Sequence, residues 1–118
     1  LDEVKYDKLF HGGQSKVWLT STAYTNEISN EVLSKDVLVF YANGTVCLTD
    51  FSKLYQGQGK KGTYMIYSEN KELDIRFGEE RWFFTFEVKD EHHIILQPNE
   101  GSTSNNALRL TTIPEFNP

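Results

Sequence analysis

The chain has 118 residues, 38% of them hydrophobic and 14% aromatic, with a formal net charge of −5. That length suits one domain with a modest core, and the charge has the wrong sign for a nucleic-acid binder, which neutralises phosphates with clustered Lys and Arg. Cys47 is the only cysteine, which excludes an intrachain disulfide and a thiolate metal cluster, and no apolar run reaches the length of a helical membrane span.

Residues 1–14 read as an N-terminal segment, in which Asp7-Lys8-Leu9-Phe10 predicts one helical turn stopped by Gly12-Gly13. No signal peptide is legible at Leu1-Asp2-Glu3, a start that suits a mature or trimmed end. Apolar residues then recur with period two, which predicts strands over Lys16–Thr22, Asp36–Tyr41, Thr45–Phe51, Gly62–Tyr67, Lys71–Phe77, Arg81–Val88, His92–Gln97 and Ala107–Ile113. The connection Asn26–Lys35 has room for a short helical turn, Asn99–Asn106 is a polar loop, and 114–118 is a tail. No repeat and no shift in composition marks a second domain, so 1–118 is read as one unit.

The hairpins acquire a register from their apolar faces. A three-residue loop, Ala42 to Gly44 with Gly44 left-handed, sets Phe40 against Val46 and Leu38 against Leu48. Asn43-Gly44-Thr45 is also a glycosylation sequon, although the turn accounts for those residues without sugar. Across Ser68–Asn70, Ile66 pairs with Leu73 and Tyr64 with Ile75, which lays Phe77 over Gly62. Across Lys89–Glu91, Phe86 is expected opposite Ile94, Phe84 opposite Leu96, and Glu87 opposite His93. One face then gathers Trp18, Leu38, Phe40, Leu48, Tyr64, Ile66, Leu73, Ile75, Trp82, Phe84, Phe86, Ile94, Leu96, Leu108 and Leu110. The other face carries Thr49, Thr63, Asp74, Arg76, Thr85, Glu87, His93 and Arg109. One buried face, one solvated face and sequential hairpins predict an all-β fold: a small up-and-down antiparallel barrel of about eight strands.

Gly57, Gly59 and Gly62 spell G-x-G-x-x-G, the pattern of a dinucleotide-binding turn. That turn needs a helix after the glycines, whose free N–H groups hold the pyrophosphate. Thr63-Tyr64-Met65-Ile66-Tyr67 is a strand signal instead, so no nucleotide site and no cofactor is expected. His92 and His93 are adjacent on a strand and face opposite ways, so they cannot chelate one metal, and His11 has no companion ligand. Glu79-Glu80 reads as solvated charge in a turn, and no Gly-x-Ser-x-Gly elbow positions a serine nucleophile. Cys47 faces outward with nothing adjacent to activate it. The expectation is a protein without catalytic or metal-binding residues.

Several segments in order resemble a known family. They are Lys16-Val17-Trp18-Leu19, Phe40-x-x-Asn43-Gly44-Thr45, Gly62-x-Tyr64-x-Ile66 with Leu73-x-Ile75, and Ala107-Leu108-Arg109-Leu110. Together, from about Ser15 to Ile113, they look like the lipocalin-like domains of small exported lipoproteins of Bacteroidetes-type bacteria. The resemblance implies a calycin-type barrel outside the cytoplasm, periplasmic or at the outer membrane, tethered by a lipid on an N-terminal cysteine upstream of Leu1. It also implies a closure in which Arg109 lies on Trp18 and donates to carbonyls near Phe10. Lys16 stands where the family has glycine, and the strands are short for a ligand-holding calyx.

The expected role is non-enzymatic binding of a protein or envelope component through loops and outer surface, with Tyr24, Phe51, Tyr55 and Tyr67 as contact residues. One alternative is a carrier of a small apolar ligand inside the barrel, lined by Tyr64, Ile66, Trp82 and Phe84. Another is an inhibitor or immunity-type barrel that blocks an enzyme with the Gln56–Lys61 loop. The inward residues are all large, which favours a filled interior over a cavity.

Overall fold

The computed structural model describes residues 5–22, 36–50, 52–53, 58–103 and 105–112. A five-residue helix, α1 (Asp7–His11), precedes eight strands: β1 (Ser15–Thr22), β2 (Asp36–Tyr41), β3 (Thr45–Asp50), β4 (Lys60–Tyr67), β5 (Glu72–Phe77), β6 (Glu80–Asp90), β7 (His93–Pro98) and β8 (Leu108–Thr112). Each strand pairs antiparallel with the next, and β8 returns to β1 with Trp18 opposite Thr112 and Thr20 opposite Leu110. The barrel is closed, so it offers no sheet edge to another chain. The strands therefore do form where the alternating pattern places them. Tyr24, Phe51, Tyr55, the Asn26–Lys35 connection and Gly57 lie outside the described residues.

Two of the three hairpin registers are as the apolar faces dictate. Phe40 faces Val46, and Leu38 faces Leu48. Gly44 takes φ 92°, a left-handed conformation that glycine reaches without a Cβ clash. Tyr64 faces Ile75, Ile66 faces Leu73, and Phe77 covers Gly62. A Cβ on Gly62 would collide with the Arg76 carbonyl oxygen and come within 2.8 Å of the Phe77 ring, so only glycine lets those strands approach. Because β4 begins at Lys60, Gly59 and Gly62 lead into and belong to a strand, and no helix follows them.

The third hairpin differs. Phe86 faces Leu96, Phe84 faces Pro98, Val88 faces Ile94 and Glu87 faces Ile95, with a bulge between Val88 and Asp90. The strand runs on to Asp90 because that carboxylate closes a tighter turn, accepting from the His92 backbone N–H at 2.7 Å and meeting His93 Nδ1 at 2.9 Å. The pairing slips by two residues, so every side chain keeps its face. Glu87 forms its ion pair with Lys89, two residues along the same strand, rather than with His93.

All the residues assigned to the inner face enter the core or pack on it, with Leu48, Ile66, Trp82 and Leu108 only partly buried. An eight-stranded barrel is just wide enough to be filled by such side chains. α1 adds what the strand pattern did not anticipate. Phe10 is fully buried and plugs the end of the barrel where β1 begins. Its ring lies 5.4 Å from that of Phe40, 5.2 Å from Phe86 and 6.3 Å from Trp18. The outer wall also departs from the simple reading. Val37, Val39, Cys47, Thr49 and Asp74 point away from the lumen and are nevertheless buried, so the outside of the barrel is not uniformly solvated.

The closure expected from Arg109 is made by another cation. Arg109 is exposed on the outer face, opposite Ser21 and Ile95. Its neighbours Leu108 and Leu110 take the inward positions, and alternation leaves Arg109 no way to reach Trp18. Lys16, two residues before Trp18 on the same face, puts Nζ 4.5 Å from the indole centroid and donates to the Leu9 carbonyl at 3.1 Å. The Phe10 carbonyl accepts instead from Trp18 Nε1 at 3.0 Å. Burial lowers the Lys16 pKa, with Glu91 partly restoring it.

Phe10→Ala should destabilise the fold by about 3–5 kcal/mol in chemical denaturation, the range for truncating a core aromatic. Arg109→Ala should stay within about 0.5 kcal/mol of wild type, as an exposed substitution does. An equal loss in both variants would refute this account of the closure.

Candidate functional site

With the lumen occupied, the residues available for recognition lie on the outer wall. β4, β5 and β6 present three cross-strand rows there: Thr63–Arg76–Arg81, Met65–Asp74–Phe83 and Tyr67–Glu72–Thr85. Met65 and Tyr67 are 58% and 41% exposed, and Tyr41 is the other large apolar residue of the described chain with comparable exposure. Neighbouring outward positions on a single strand therefore carry a thioether and a phenol in water. Those residue types are enriched at protein interfaces.

At the centre of the rows sits Asp74, whose side chain is only 6% exposed. Arg81 reaches it with Nε at 3.2 Å and Nη2 at 3.0 Å, and Arg76 with Nε and Nη2 at 3.2 Å each. Burial alone would raise the Asp74 pKa. Bonds from Arg81 and Arg76, and their charges, override it and hold the carboxyl below its ordinary value. The two guanidiniums are thereby fixed in orientation, and Arg81 also stacks 4.1 Å from the Phe83 ring centroid. The loop after β7 braces this corner. Thr103 N–H donates to the Arg81 carbonyl at 2.6 Å, and Arg81 N–H donates to Thr103 Oγ1 at 2.9 Å.

A separate groove of about 340 Å³ lies on the β3–β4 wall, between Tyr41, Asn43, Thr45, Val46, Cys47, Lys61 and Gly62. It is on the outside of the barrel rather than at a mouth. Burial raises the Cys47 pKa more than nearby Lys61 lowers it, so the thiol is neutral at pH 7 and not an activated nucleophile.

The residues expected to line a carrier cavity fall in two adjacent inner rows, Tyr64–Ile75–Trp82 and Ile66–Leu73–Phe84, and belong to the packed core or lie against it. Tyr64 is buried against Phe40 at 4.9 Å and spends its hydroxyl on the Tyr41 carbonyl at 2.7 Å. Phe84 is fully buried. Ile66 and Trp82 are partly buried against the core, and Trp82 meets Phe77 edge-on at 5.1 Å. Of the expected partner contacts, Tyr67 is exposed on the β4 wall and Tyr24, Phe51 and Tyr55 fall outside the described residues. Sequence reasoning missed Met65, Arg76 and Arg81 as surface companions of Tyr67. Their odd–even positions on paired strands were the available signal. His92 and His93 diverge, His92 Nδ1 meeting Thr112 Oγ1 at 2.9 Å, and no group of three potential metal ligands converges among the described residues.

These features define a closed, side-chain-filled antiparallel barrel with a helical plug and an apolar, arginine-bearing outer wall. Comparison with protein-family models, with curated proteins and with solved structures found no match.

Asp74→Ala should cost about 1.5–3 kcal/mol near neutral pH, the range for bonds between ionised groups. The folded-state pKa of Asp74 is depressed, so its contribution is present above the unfolded-state value near 3.8 and fades as pH falls through the folded-state value. Denaturation curves of wild type and variant should accordingly converge below that pH. A gap that stays constant into strong acid would show that the carboxylate's charge is not what stabilises this wall.

Proposed function

We propose that this chain is a non-enzymatic binding domain that holds a protein partner on the outer wall of β4, β5 and β6. The observation that carries the reading is the pairing of exposed Met65 and Tyr67 with guanidiniums already immobilised by a buried carboxylate. Pre-ordered arginines lose little side-chain entropy on association, and apolar neighbours supply the area that is removed from water. The packed lumen favours this reading over a carrier, because Phe10 and the inner-face aromatics already occupy the space a ligand would need. The lipocalin-like resemblance adds a setting, an exported and lipid-tethered domain whose partner is another protein of the envelope. The closure by Lys16 instead of Arg109 distinguishes this chain from that pattern.

A photo-reactive amino acid placed at Met65 or at Tyr67, in the producing cells, should give a discrete cross-linked adduct. The same probe at Lys89, on β6 but past the last of the three cross-strand rows, should give none. Adducts from Lys89 alone, or a lipid retained by the purified protein in native mass spectrometry with no adduct at all, would overturn the proposal in favour of another face or of the carrier.

A further inference from the structure

The groove on the β3–β4 wall has a chemistry of its own, independent of the protein-binding reading. Its volume of about 340 Å³ falls at the lower end of ligand pockets, which span about 300–1,000 Å³. Val46, Gly62, Tyr41 and Cys47, whose thiol burial keeps neutral, are among the residues that line it. Its polar groups are donors. Asn43 Oδ1 is consumed by Thr45, accepting from the backbone N–H at 3.1 Å and from the hydroxyl at 2.7 Å, which leaves the Asn43 NH₂. Lys61 pairs across the strands with Cys47 and forms no ion pair among the described residues, whereas Lys60 pairs with Glu80 and Lys89 with Glu87. In a chain of net charge −5, an unpaired ammonium beside a mostly apolar hollow is an unmatched local feature.

We infer that this groove binds a small organic carboxylate, with its apolar body against Tyr41 and Cys47 and its carboxylate on Lys61 and the Asn43 amide. A neutral isostere would lose the charge-assisted bonds, and a cation would meet Lys61 as a like charge. The Tyr41 side of the groove is anchored through its carbonyl, which accepts from Gly44 N–H at 3.0 Å and from the Tyr64 hydroxyl at 2.7 Å.

The probe is 3-phenylpropionate, titrated into the ¹⁵N-labelled full chain and followed by amide chemical shifts, with 3-phenylpropanamide and 3-phenylpropylamine as controls. Saturable shifts should be confined to residues 41–47 and 61–63. Lys61→Gln should weaken 3-phenylpropionate about twofold to fivefold, the effect of removing the charge from one exposed ion pair. The same substitution should leave the amide's weaker binding unchanged. Lys61 is exposed, so the variant should fold as the wild type does. Equal affinity for acid and amide, or an acid affinity untouched by Lys61→Gln, would overturn the inference. So would the absence of saturable shifts, or shifts centred on Trp82 and Phe84, which would move the ligand into the lumen. None of these results bears on cross-linking at Met65, so the groove and the protein-binding wall stand or fall separately.

Discussion

The structure depends on one stopper. A barrel of eight short strands leaves its ends open, and water entering there would strand the backbone and solvate the core. Phe10 fills the end beside β1, and the bond from Trp18 Nε1 to the Phe10 carbonyl fixes the stopper in depth and rotation. That bond also satisfies the only polar atom of a fully buried indole, which would otherwise be a desolvated donor. Lys16 completes the seal from the same strand face, laying its aliphatic stem along the barrel end and its ammonium over the indole and on the Leu9 carbonyl. The Tyr6 N–H on Ser68 Oγ and the Ala42 N–H on the Gln14 carbonyl tie the N-terminal segment to two of the hairpin turns.

With the core side chains gathered inside the barrel, the outer wall is the surface left facing other molecules. Tyr64 illustrates the change of role. An inward tyrosine could have lined a ligand cavity, but its ring packs edge-on against Phe40 and its hydroxyl is spent on the Tyr41 carbonyl. The same strand places Met65 and Tyr67 on the other side, where alternation sends them into water. A wall one residue out of phase from the core thus shares the core's strands without its burial. Asp74 extends that rigidity to Arg76 and Arg81, long side chains that would otherwise sample many rotamers.

The candidate site was half legible. Tyr67 was readable as an outward aromatic because its strand alternates cleanly. Tyr64, Ile66, Trp82 and Phe84 were legible as residues of one inner face, and the register sets them in two adjacent rows that pack with the core. The Asp74 cluster was hidden because an isolated strand reads an outward aspartate as solvated. Its burial comes with cross-strand neighbours on both sides, and Arg81 is held in turn by Thr103, 22 residues further along the chain, and no local pattern encodes them. The groove was invisible for a similar reason, since Tyr41 and Lys61 meet only after β2, β3 and β4 are laid side by side.

Alternation of side chains, Gly44 in its turn and Gly62 under Phe77 were enough to determine the strands, two hairpin registers and the inner face. These are contacts between near neighbours in the chain, where sterics act locally. The β6–β7 register needed more, because the Asp90 turn competes with the apolar match and a two-residue slip leaves every face unchanged. The closing contact was decided only by the tertiary structure. Alternation already turns Arg109 outward between Leu108 and Leu110, and only the folded barrel brings Leu9 and Phe10 to the end where Lys16 lies over Trp18. Which side of a wall a residue faces is a local property; what it meets there depends on how the sheet closes.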